Sequence, residues 1–359
     1  MSVSSHFSAS YEEARSKFLD AAAAAGATLE RFDNPAENPR GVDLSTDVAR
    51  LGDPAAPAML LTFSGTHGAE GFCGSGVQVA WLADGFWKEV PDSVQQVHVH
   101  AINPYGFASL SRTTEDNIDL NRNFVDHANP PVNEGWPKIQ PVLCPTEWND
   151  GTLDQMKAGV EAFVEEHGFW AFREAATSGQ YRDPKGIFYG GSAPGWSRRT
   201  VETIVGKYCK GLKQLAVIDY HTGLGPRGFG ERIIDHLPDT PGYGRAMDWY
   251  GGDASSPYLG TSTSAKLTGQ MLDWIDRALT GTEVTAIALE YGTEPEDKVI
   301  GALTSDNWLR FHGDLSSARG REIKQKVRDA FYQDANDWKQ MIWDRALDTQ
   351  RLALQGLTR

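Results

Sequence analysis

The chain has 359 residues, is 40% hydrophobic and 23% charged, and carries a formal net charge of −14. That length and apolar content suffice for a large buried core, while the acidic balance argues against a nucleic-acid surface, which needs clustered Lys and Arg. Three scattered cysteines, Cys73, Cys144 and Cys209, do not make a disulfide framework and read as free thiols in a reducing compartment.

From the N-terminus, Tyr11 to Asp20 reads as an amphipathic helix, and the alanine run after it lacks the basic start of a signal peptide. No stretch of 18 apolar residues occurs, so a membrane span is not expected, and a cytoplasmic protein is. Four short apolar, β-branched runs, Ala58 to Phe63, Val94 to Ile102, Leu215 to Tyr220 and Val284 to Leu289, predict buried strands. Helical patterns fall between them at Gly76 to Phe86, Leu153 to Ala176 and Lys266 to Leu279. This alternation predicts an α/β fold with a mixed, largely parallel central sheet and helices on both faces. His127 to Asp150, rich in Pro, Trp and Asn, reads as a long irregular insertion. After Ser305 the pattern predicts a pair of covering helices. One domain is expected, with a catalytic core of about residues 50–300, an insertion at about 125–210 and C-terminal helices at about 306–355.

Ligands of open α/β sheets bind outside the carboxyl ends of the strands, and each predicted strand ends in chemically useful residues. The first leads through Ser64-Gly65-Thr66 to His67 and Glu70, a pair suited to a borderline divalent ion. Asn103 and then Arg112, Asp119, Asn121 and Arg122 follow the second; the third ends Asp219-Tyr220-His221, and the fourth Leu289-Glu290. Taken singly, His221 reads as a hydrogen-bonded core residue, His67 with Glu70 as a capping pair, Arg112 as a surface charge and Asp119 to Arg122 as a turn. Four such endings together are better explained by a site.

These residues resemble those of the zinc metallocarboxypeptidases and their relatives, the aspartoacylase and succinylglutamate desuccinylase deacylases. The shared elements are the His-x-x-Glu pair, the Asn-Arg pair, a distant His and a final Glu, spread over residues 58–295; an uncharacterised bacterial branch is the nearest part of the family. The resemblance implies a metallocarboxypeptidase-like fold, one zinc ion per chain held by His67, Glu70 and His221, and Glu290 as general base and acid. It further implies Arg112 as the oxyanion stabiliser, Asn121 and Arg122 as the grip on a substrate carboxylate, and Asp119 as the acid behind the first zinc histidine. The expected reaction is hydrolysis of an amide bond in a small molecule or short peptide bearing a carboxylate. An N-acyl amino acid deacylase and a non-catalytic zinc-binding module are the alternatives. The resemblance leaves a covering tyrosine open between Tyr258 and Tyr291.

Three other readings compete. Gly223-Leu224-Gly225-Pro226-Arg227-Gly228 is formally the dinucleotide fingerprint, but that motif must open a helix, and Glu231 to Leu237 reads as a strand. No G-x-S-x-G elbow supports a serine hydrolase. Cys73 reads as a small buried thiol rather than a nucleophile.

Overall fold

The computed structural model describes residues 2–38 and 40–359. Its sheet has eight strands: β1 (Thr28–Asp33), β2 (Ser45–Leu51), β3 (Ala58–Phe63), β4 (Val94–His100), β5 (Gln214–Arg227), β6 (Gly230–Ile234), β7 (Ala254–Ser255) and β8 (Glu283–Gly292). They lie in the order β1-β2-β4-β3-β5-β8-β6-β7. The four runs predicted from apolar content are the four central strands, parallel to one another in the order β4-β3-β5-β8. Both faces of these strands are covered, so their sequences need no polar alternation. β1, β2 and β6 pair antiparallel at the flanks, which makes the sheet mixed and largely parallel, as the sequence predicts.

The helices are α1 (Tyr11–Ala24), α2 (Gly71–Ala83), α3 (Pro104–Ala108), α4 (Trp136–Leu143), α5 (Thr152–His167), α6 (Phe169–Thr177), α7 (Trp196–Tyr208), α8 (Pro241–Tyr250), α9 (Met271–Ala278), α10 (Glu296–His312), α11 (Ala318–Phe331) and α12 (Asn336–Leu357). Phe18, Phe72, Trp81, Trp249 and Trp338, from α1, α2, α8 and α12, form the core on one sheet face. Val201, Ile204, Met271 and Ile275, from α7 and α9, form the core on the other. A third cluster joins α4 and α6 to α10 and α11 around Ala69, so the insertion packs over the turn that carries His67 and Glu70. Among the described residues no helix is long and apolar enough to cross a membrane.

Several sequence expectations need correction. Two strands precede the first predicted one, and they go unmarked in the sequence because β1 and β2 carry charged residues and lack the apolar run of a central strand. Leu153 to Ala176 is two helices, broken at Gly168, whose φ of 90° no helix accommodates. The insertion is not wholly irregular: α4 starts with Pro137 in its first turn, where a missing N–H costs nothing. The expected C-terminal pair corresponds to α11 and α12, and α10, which starts at Glu296, precedes it. α9 starts only at Met271 because the preceding residues are committed elsewhere: the Gly269 carbonyl accepts from Phe124 N, and a Cβ at Gly269 would lie 2.3 Å from the Arg122 carbonyl oxygen.

Candidate active site

The first strand end must turn sharply to present His67. Gly65 adopts a φ of 68°, and a Cβ on Gly68 would sit 2.0 Å from the Gly106 carbonyl carbon, so the turn passes directly against α3. Backbone bonds from Gly68 N to Arg112 O and Ala69 N to Ser111 O tie it down, and Glu70 follows at the mouth of α2. His221 and Glu290 are partners in the β5–β8 ladder, so their side chains share one face of the sheet.

These residues converge. His67 Nδ1 lies 3.2 Å from His221 Nδ1, and the Glu70 carboxylate bridges both, 2.9 Å from the first through Oε1 and 3.1 Å from the second through Oε2. The three side chains are buried and place one ligand atom each within 4.8 Å of the others. The nitrogen spacing is close to that of two ligands on one tetrahedral ion with bonds of about 2.0–2.1 Å, and an N, N, O donor set suits zinc. The residues therefore fit a zinc ion.

The far sides of both imidazoles are also held. His221 Nε2 lies 2.7 Å from Asp219 Oδ2, and Asp219 Oδ1 accepts from Thr66 Oγ1 at 2.8 Å. His67 Nε2 lies 3.1 Å from Asp119 Oδ1 and 2.8 Å from Arg112 Nη2. A metal on Nδ1 requires the tautomer in which Nε2 carries the proton and donates to Asp119; the Arg112 Nη2 contact is then a close approach and not a hydrogen bond. The sequence analysis gives Asp219 no role, although its position two residues before His221 on one strand puts both side chains on the same face. Asp119→Asn and Asp219→Asn are each expected to weaken zinc affinity about 10–100-fold, the usual effect of removing such outer partners, measurable by competition with a chromophoric chelator.

Arg112 donates through Nε to Asp119 Oδ2 at 2.9 Å and through Nη1 to Glu70 Oε1 at 3.2 Å. Asn121 Oδ1 accepts from Met271 N at 2.9 Å, which leaves its amide N–H groups for another partner. Arg122 donates to Thr177 O through Nε and Nη2 and to Asn121 O through Nη1. His67, Glu70, Arg112, Asn121, Arg122, His221 and Glu290 all line one cleft. Asp119 is not in its lining and stands behind His67. The insertion adds Arg173, Thr177 and Phe188 to the walls, and the segment before α9 adds Ser264 and Gln270; no local motif marks these residues. Three arginines, Arg112, Arg122 and Arg173, thus face the cleft alongside Glu70, Asp235, Glu290 and Glu296.

Burial raises the pKa of Glu70, but the charges of His67 and His221 and hydrogen bonds from both outweigh it and hold the carboxyl well below its usual range. For His221, burial favours the neutral ring, but Asp219 and Glu70 push its pKa well above the ordinary imidazole value. Burial and the Glu70 charge push Glu290 up to about 8, against opposing pulls from His221, the Leu224 N–H and Arg112. The sign for stability follows. Glu290 and His221 both bind a proton more tightly in the folded than in the unfolded chain, so their contribution is present at low pH. It is lost as pH rises from about 4.5 through 8 for Glu290, and from 6.5 upwards for His221. Zinc binding demands the reverse, a deprotonated His221. The melting temperature of metal-free protein is therefore expected to fall between pH 6 and pH 9, and the gap to zinc-loaded protein to widen. A gap that narrows with pH in calorimetry would contradict this arrangement.

Other candidates fall away from the cleft. Tyr291 is buried and donates to Ile342 O at 3.1 Å, and Tyr258 is absent from the cleft lining. Cys73 is fully buried, and burial raises its thiol pKa well above the usual value, as suits a packing residue. The Gly223 to Gly228 loop continues β5 into the turn before β6 and opens no helix.

A family sequence profile described as "Protein of unknown function (DUF2817)" matches residues 7–345. The chain belongs to this family. No curated protein matches it. Among solved structures, this DUF2817 member is similar to the carboxypeptidase A from Helicoverpa armigera, at 11% identity over 90% of this chain and 74% of that one, with a TM-score of 0.44. An aspartoacylase family protein from Mesorhizobium loti is similar at 15% identity over 81% of this chain and 68% of that one, with a TM-score of 0.39. A metallo-carboxypeptidase from Pseudomonas aeruginosa, in complex with (2-guanidinoethylmercapto)succinic acid, is similar at 14% identity over 88% of this chain and 66% of that one, with a TM-score of 0.40.

Proposed function

We propose that this DUF2817 protein is a zinc-dependent hydrolase that cleaves an amide bond in a small substrate bearing a carboxylate. The observation that carries this reading is one cleft holding a two-imidazole, one-carboxylate ligand set beside Glu290, the ladder partner of His221. A module that only binds metal has no use for a buried carboxylate there.

His67, Glu70 and His221 would hold one zinc ion. When bound, zinc lowers the pKa of a water ligand towards about 7 and polarises the scissile carbonyl. Glu290 takes a proton from the attacking water and returns it to the leaving amine. Burial and the Glu70 charge hold the Glu290 carboxyl above its ordinary range, which suits a group that serves as base and then as acid. Arg112, held rigidly by Asp119 and Glu70, presents a fixed cation to the oxyanion. Asn121 and Arg122 grip the substrate carboxylate; three bonds from Arg122 to backbone carbonyls fix its fork before substrate arrives. The free thiols, Cys73 and Cys209 buried and Cys144 half-buried, suit a reducing, cytoplasmic setting.

Elemental analysis paired with a screen of dipeptides, C-terminal peptide ladders and N-acyl amino acids tests this function. One equivalent of zinc is expected, with turnover of substrates carrying a free carboxylate and little of their amidated forms. Zinc-loaded protein inert towards all of them would sink the proposal. The same screen separates a peptidase from an N-acyl amino acid deacylase.

A further inference from the structure

Beside the catalytic cleft lies a second, larger groove of about 730 Å³, built between α5, α6, α10 and α11. Half of its wall therefore comes from the insertion. Met156, Val160, Phe172, Ile300, Ile323 and Ala330 make its floor apolar. At its edge Leu153 is 47% and Phe169 48% exposed, and Trp170, edge-on to Phe169 at 5.7 Å, is 63% exposed. Apolar surface gathered in this way marks a binding surface rather than scattered exposure.

Two observations say what the groove takes. Glu296 and Ile300 line both the groove and the cleft, so the two meet at the N-terminal end of α10. An extended chain leaving the cleft past these residues enters the groove. The rim is acidic, with Asp154, Glu161, Glu294, Glu296, Asp297 and Asp329 against Lys157, Lys298 and Lys326. Lys298 pairs with Glu294, Lys326 with Glu322, Arg173 with Glu296 and Arg328 with Asp329, which leaves Asp154, Glu161 and Asp297 against Lys157 alone. An acidic rim on an apolar floor complements a chain that alternates apolar and basic side chains. It repels a second copy of this chain, which carries a net charge of −14, and offers an acyl tail no partner for its charges.

We infer that this groove binds the peptide segment upstream of the cleaved amide bond, with apolar side chains on its floor and Lys or Arg at its rim. The inference rests on the hydrolase reading above and makes the substrate a cationic, apolar peptide rather than a small acyl amino acid.

The test uses the zinc-loaded full chain and four substrates ending in the same residue. These are a blocked dipeptide, a hexapeptide with upstream Leu-Lys repeats, one with Leu-Glu repeats, and an N-palmitoyl amino acid. The Leu-Lys hexapeptide is expected to exceed both the dipeptide and the Leu-Glu hexapeptide in kcat/KM by about tenfold, a difference worth about 1.4 kcal/mol. Glu161→Lys and Leu153→Ser, both at exposed positions of α5, should remove that advantage and leave dipeptide turnover unchanged. Equal kcat/KM for the two hexapeptides, no gain over the dipeptide, or a larger gain for the palmitoyl substrate would overturn the inference. If every substrate is inert the hydrolase reading fails by itself. Fluorescence anisotropy of the labelled Leu-Lys peptide, with Glu161→Lys as control, then still decides the groove: binding weakened by the variant supports it, and no binding refutes it.

Discussion

The Glu290→Gln protein is expected to keep its full equivalent of zinc and lose about 10²–10⁴-fold in kcat, the usual contribution of a positioned acid–base group. The substitution preserves shape and removes only the ability to ionise. Glu290 is not one of the three side chains whose atoms converge on the ligand position, and its contact with the backbone is a bond from Leu224 N to Oε1 at 3.1 Å, which an amide oxygen can also accept. The variant should therefore fold and load metal. It should even be more stable than the parent when metal-free and above pH 8, because an uncharged amide escapes the burial and Glu70 repulsion that push the carboxyl up to about 8. Measuring zinc content, kcat and melting temperature on one preparation separates the two effects. Unchanged turnover would remove Glu290 from the mechanism, whereas loss of zinc would make it a ligand.

Much of this site is legible in the sequence because strand ends are local. The runs before His67, His221 and Glu290 are apolar enough to mark central strands, and parallel central strands bring their carboxyl ends to one edge. The residues after them then have to meet. Asp219 belongs to the same local signal, since the two-residue period of a strand aims it where His221 points. The remainder depends on contacts far apart in sequence. Arg173 reaches the cleft because α6 packs against α4 and α10, and Gln270 because Gly269 lies against the Arg122 backbone; neither residue sits in a pattern of its own. β1 and β2 escaped notice for a related reason. Their charged residues suit flanking strands, and Asp47 is stable in its buried position because Arg15, 2.7 Å away on α1, pairs with it.

His67→Ala and His221→Ala should each abolish stoichiometric zinc binding and, with it, hydrolysis. Each removes one of the three protein ligands proposed for the ion, so the loss should exceed the 10–100-fold that an outer partner contributes. The two are not equivalent for the metal-free protein. Removing His221 leaves Asp219 buried without the ring it meets at 2.7 Å, with only the Thr66 hydroxyl donating to its other oxygen, whereas Glu70 keeps His67 and Arg112. An uncompensated buried carboxylate is destabilising by about 3–5 kcal/mol when its partner is deleted. Removing His67 leaves Asp119 still paired with Arg112 at 2.9 Å and Glu70 still held by Arg112 and His221, so its cost should be smaller. The metal-free His221→Ala protein should thus melt below the metal-free His67→Ala protein, most clearly near neutral pH, where the carboxylates are charged. Elemental analysis and calorimetry on the two variants read both parts. If both variants retain a full equivalent of zinc, the metal lies elsewhere; if their metal-free forms melt together, the Asp219–His221–Glu70 chain is not what holds β5 against the His67 turn.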